Sequence, residues 1–189
     1  MKKAFTLVEL LVGVSIIVVA FTLATNYFIR GVRVQKRVLD LREVLDSLSY
    51  VLEYTASQLR MAKRDDVAIE FPGLGSQTKN CLTKNEGNFE TPETPGNSIR
   101  FRNYKNQCQR IYLDGGRIKV SFDDGSPLDL TPSYLEVQSL QFIVSGDNVF
   151  PKKDTLQPRV TILIQARKRN RPDTQITVQT TISQRDFDY

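Results

Sequence analysis

The stretch Phe5–Ile29, FTLVELLVGVSIIVVAFTLATNYFI, carries one charge, Glu9, and decides how the rest of the chain is read. At about 1.5 Å per residue, its roughly 25 residues make a helix of about 37 Å, enough to cross a hydrocarbon core of about 30 Å. Ahead of it stand Met1-Lys2-Lys3-Ala4. A secretory signal peptide has a shorter apolar centre, with its small-residue cleavage site after that centre. Here the small residue, Ala4, comes first. A cut after it removes only the basic leader and leaves the anchor on the product.

Glu9 needs a reason to be there. A carboxylate within lipid costs several kcal/mol, and ionisable groups inside membranes usually mark function. If the leader is cut after Ala4, Phe5 gains a free α-amino group at a similar depth. The amine of one copy and the Glu9 carboxylate of its neighbour then neutralise each other where Coulomb attraction is strong. The other reading is a Glu that snorkels to the membrane surface and does nothing. Physics alone leaves both open.

The run Lys2-Lys3-Ala4-Phe5-Thr6-Leu7-Val8-Glu9-Leu10-Leu11-Val12 resembles the type III signal of type IV prepilins and type II secretion pseudopilins. The resemblance covers about the first thirty residues. It implies cleavage by a prepilin peptidase between Ala4 and Phe5, N-methylation of Phe5, and a role for Glu9 in filament assembly. It also implies other pilin or pseudopilin subunits as partners, and a cytoplasmic ATPase and assembly platform acting indirectly. The implied product is a single-pass protein of the cytoplasmic membrane, its C-terminal domain extracytoplasmic, recruited into a periplasmic or surface filament. Two departures stand out. Ala4 occupies the place of the family's usual Gly, and the apolar run has no Pro. The missing Pro points to a minor subunit or a pseudopilin. So does Leu59-Arg60-Met61-Ala62, which is similar to the Leu-Arg-x-Ala of J-type pseudopilins and W-type minor pilins.

Charge counting points the other way. Arg30, Arg33, Lys36, Arg37 and Arg42 outnumber Lys2 and Lys3, which by the positive-inside bias would place the C-terminal side in the cytoplasm. The leader resemblance implies the opposite topology and is the more specific signal.

Beyond the span, Val34, Val38, Leu41, Leu45, Leu48, Leu52, Thr55, Leu59 and Ala62 alternate steps of four and three, which predicts an amphipathic helix over 30–64. The period then changes. Strands are expected at 67–71, 98–104, 109–113, 117–122, 135–144, 159–166 and 176–183, with turns at Asp114-Gly115-Gly116 and Asp123-Asp124-Gly125. The expected fold is therefore α+β and pilin-like. A leader (1–4), a transmembrane helix (5–29) and an amphipathic helix (30–64) precede an antiparallel β-rich domain (65–189) packed on that helix.

The chain has no His, so the commonest general base and metal ligand are missing, and no nucleophile motif or phosphate-cradling loop appears. No enzyme, cofactor or metal site is expected. Asp123-Asp124 offers too few oxygens for calcium and reads as a turn. Arg167-Lys168-Arg169-Asn170-Arg171 invites a nucleic-acid reading, but it lies between two strands without aromatic residues for stacking, so a solvated hairpin tip is the default. Cys81 and Cys108 are not spaced as a CxxC pair. In an exported domain they could close a disulfide; in a reducing compartment they would stay thiols.

Overall fold

The computed structural model describes residues 6–65, 81–83, 87–92, 96–146 and 157–185. The strand expected at 67–71 lies outside them. The chain divides into two compact units, Met1–Asp40 and Leu41–Tyr189. One helix, α1 (Leu7–Arg60), contributes to both. It is long and apolar enough to cross a membrane, and none of its apolar 18-residue window is buried by the protein.

Three hydroxyls of the apolar run bond to their own helix. Ser15 Oγ donates to Val12 O, Thr22 Oγ1 to Val18 O and Thr25 Oγ1 to Phe21 O, each at 2.8 Å. These three aliphatic hydroxyls are thus spent on carbonyls three or four residues back, which satisfies them in an apolar medium.

In the second unit α1 buries Val44, Leu48, Val51, Thr55 and Leu59, with Ala62 buried just beyond its end. This corrects the stripe read from sequence. Leu48, Thr55, Leu59 and Ala62 belong to it, but Leu45 is 43% exposed while its neighbour Val44 is fully covered. The reason is the period. The 4-3 alternation is a 3.5-residue repeat, which drifts by about 20° per heptad around a straight helix of 3.6 residues per turn. The observed face steps 4, 3, 4, 4, 3 from Val44 to Ala62 and so stays in line.

The first sheet is a meander, β1 (Ser98–Arg102), β2 (Cys108–Asp114), β3 (Arg117–Phe122) and the short β4 (Leu128–Asp129), antiparallel in that order. The second is β5 (Leu135–Ser145), β6 (Arg159–Lys168) and β7 (Arg171–Ser183), also antiparallel. β4 was not foreseen: two exposed residues leave no periodic pattern. β7 begins five residues earlier than expected, because polar Arg171–Gln175 continues the hairpin from Lys168. The α+β layout expected from sequence is observed.

Gly115 and Gly116 turn β2 into β3 with φ of 57° and 73°, which a glycine adopts without steric cost. Gly116 O then accepts from Val137 N at 2.9 Å, and Gly96 O from Phe142 N at 2.8 Å. These two bonds tie the sheets together. In β5 the register shifts between Val137 and Ser139. The bulge moves the buried positions from Leu135 and Val137 to Leu140 and Phe142, all on the core side. β6 needs no such correction: Val160, Ile162, Ile164 and Ala166 alternate inward. One core holds the helix face, Ile99, Phe101, Ile111 and Ile118 of the first sheet, and these second-sheet residues.

The end of α1 is sealed by the far end of the chain. Arg185 N donates to Arg60 O at 3.0 Å, and Gln184 Nε2 to Ala62 O at 2.8 Å. Two carbonyls that a helix C-terminus leaves orphaned, or nearly so, thus find partners. Beyond them, buried Asp65 accepts from Leu82 N at 2.7 Å and is ion-paired with Arg102.

Candidate functional site

The site marked by the sequence is the head of α1. Ala4 and Phe5, the expected cleavage and methylation positions, lie outside the described residues. Thr6 stands immediately before the helix, and its Oγ1 accepts from Glu9 N at 3.3 Å, while its carbonyl accepts from Leu10 N at 3.2 Å. Thr6 is therefore the N-cap, and Thr6-Leu7-Val8-Glu9 has the T-x-x-E form of a capping box. The sequence reading missed this role for Thr6, although the signal was present: a Thr three residues before a Glu at the start of an apolar run.

Glu9 is exposed in the first turn, where a negative charge is favoured by the helix dipole. Its neighbours Leu7, Val8, Leu10 and Leu11 are all exposed and apolar. Among the described residues its carboxylate has no cation beside it. The arrangement therefore presents one anion on an otherwise uncharged apolar surface. A cation to pair with it would have to come from outside the described residues.

The other marked residues fall in the second unit. Cys81 and Cys108 form a disulfide with Cα atoms 5.2 Å apart, closing a sequence separation of 27. The basic cluster is largely engaged within the domain. Arg167 Nε donates to Glu136 Oε2 at 2.9 Å, Lys168 Nζ to Glu43 Oε2 at 2.5 Å, and Arg171 Nε to Asp173 Oδ1 at 3.3 Å. The hydrogen bond from Arg167 holds the Glu136 carboxyl below its ordinary range and raises the guanidinium in turn. The hairpin tip thus clamps β6 to β5 and to the helix.

Asp123 and Asp124 both adopt positive φ, 51° and 57°, in the turn after β3. Asp123 Oδ1 accepts from Cys108 N at 2.8 Å, and Asp124 is ion-paired with Arg100 at 3.3 Å. A cleft of about 400 Å³ lies between Tyr54, Gln58, Tyr104 and Lys105. Its walls are organised from within: Asn103 Oδ1 accepts from the N–H groups of Lys105 and Gln107, and Gln109 Nε2 donates to the Tyr54 hydroxyl at 3.4 Å.

No protein-family model, no curated protein and no solved structure matched the chain.

Proposed function

We propose that this protein is a structural subunit, of minor rank, of a type IV pilus or type II secretion pseudopilus. The observation that carries the reading is the Glu9 carboxylate, exposed and without a cation among the described residues, in the first turn of a helix fit to span a membrane. An anion kept at that position has a use if an incoming chain supplies the cation. Cleavage between Ala4 and Phe5 by a prepilin peptidase creates that cation, the α-amine of Phe5, which methylation leaves charged. Pairing of Phe5 on one subunit with Glu9 on the next sets their stagger. Extraction from the membrane by the assembly platform and its ATPase then adds one subunit at a time. The internal hydroxyl bonds of the span support this reading, because they suit it equally to lipid and to a bundle of like helices.

The test is production of the full chain with a prepilin peptidase and filament machinery. N-terminal sequencing of the mature protein should begin at Phe5. Glu9→Ala should remain in the membrane fraction and be lost from sheared filaments. A variant that enters filaments at the normal level would sink the proposal. It would leave instead an anchored module that does not polymerise.

A further inference from the structure

The segment directly after the apolar run carries cations that form no ion pair among the described residues. Arg30, Arg33, Lys36 and Arg37 are all exposed. No acidic residue occurs between Glu9 and Asp40. None of the four cations forms an ion pair among the described residues. At about 100° per residue, Arg30, Arg33 and Arg37 fall within an arc of about 60°, with Lys36 about 60° to one side. Arg33 and Arg37 are an i,i+4 pair of like charge, an arrangement that destabilises a helix in water. Asp40, three residues after Arg37 and four after Lys36, offsets this only at the far end of the stripe, so Arg30 and Arg33 keep a mutual repulsion that an anionic surface would relieve.

The neighbouring residues say what that surface is. Ile29 ends the apolar run, and Tyr27, 73% exposed, has the amphipathic ring that favours the membrane–water boundary. Arg30 to Arg37 climbs about 10 Å along the axis, roughly one Debye length. Guanidinium groups at that height match phosphate oxygens in paired hydrogen bonds. We infer that Arg30, Arg33 and Arg37, flanked by Lys36, form a binding stripe for anionic phospholipid headgroups. The stripe holds the subunit at a fixed depth in its membrane. This rests on Leu7–Ile29 spanning a bilayer, and it gives the excess of cations after the span a purpose other than setting topology.

The test uses the full chain in bilayer discs of equimolar phosphatidylcholine and phosphatidylglycerol, with retained lipids identified by native mass spectrometry. Wild type should retain phosphatidylglycerol in preference. Each neutralised cation should reduce that preference about fivefold, as expected for a surface contact of about one Lys or Arg. Arg30→Gln/Arg33→Gln/Arg37→Gln should abolish it, whereas the triple Lys variant should keep most of it. Circular dichroism should show the helix unchanged in both. Equal retention of the two lipids by wild type, or undiminished preference in the Gln variant, overturns the inference. So does a short DNA duplex that displaces phosphatidylglycerol from the stripe. A wild-type chain that fails to float with vesicles defeats the membrane-spanning reading itself, a separate and recognisable failure.

Discussion

Glu9 and Thr6 act together at the head of α1, one as the exposed anion and the other as the cap that fixes the first turn. Thr6→Ala removes an N-cap, a change that costs about 1 kcal/mol. It should fray the first turn, and amide exchange at Leu7 to Leu10 should quicken while membrane insertion persists. In the second unit, Gln109 is fully buried and its amide reaches the Tyr54 hydroxyl. Tyr54→Phe leaves that donor without an acceptor and should cost about 1–2 kcal/mol in denaturant unfolding. Burial raises the Tyr54 pKa, the Gln109 bond opposing it. A raised folded-state pKa stabilises fully below the unfolded value and is lost as pH rises through the folded one. Wild type should therefore lose stability above about pH 10. In Tyr54→Phe that alkaline loss should be smaller.

The long helix was legible as an element because hydrophobic periodicity is local, but which of its faces is covered was not. Val44 and Leu45 are both apolar neighbours, and only the sheets choose between them. The prediction follows from the choice. Val51→Ala, at a covered site, should destabilise the second unit by about 2 kcal/mol, whereas Val34→Ala should stay within about 0.5 kcal/mol. Equal effects would mean the covered face is wrongly drawn. The strands behaved similarly. β3 matches its expected span because alternation and flanking turns bracket it, and β6 matches at its start. β4 and the first residues of β7 did not register, since their pairing partners, not their own side chains, hold them in place. The basic hairpin was legible as a hairpin, yet its ion pairs to Glu43 and Glu136 bring together residues as far as 125 positions apart. The Arg167 bond lowers the Glu136 pKa. The clamp should therefore contribute above the ordinary carboxylate range and fade as pH falls through the depressed value. Glu136→Gln should flatten that acidic limb of the stability curve.

At the scale of the whole molecule, two links fasten the region after the helix to the sheets. The disulfide between Cys81 and Cys108 closes a sequence separation of 27, worth about 3.5 kcal/mol in the chain-entropy model. Reduction should lower the melting temperature of the second unit without abolishing its β signal in circular dichroism. Asp65 is buried to 4% exposure against Arg102. Arg102→Met strands that carboxylate and should cost about 3 kcal/mol or more, measured by urea unfolding, with part of the loss regained in the Asp65→Asn double variant.

The sequence by itself determined the long apolar run, its single acid, the helix that follows and the β character of the remainder. Each of these is written in the spacing and chemistry of residues close together in the chain. Only the tertiary structure decided which helix face is covered, where β5 bulges, that Gln184 and Arg185 seal the end of α1, and that the basic hairpin is spent on Glu43 and Glu136. Those outcomes depend on partners far apart in sequence. Burial and ion pairing choose among locally equivalent residues only once packing has brought the distant elements face to face.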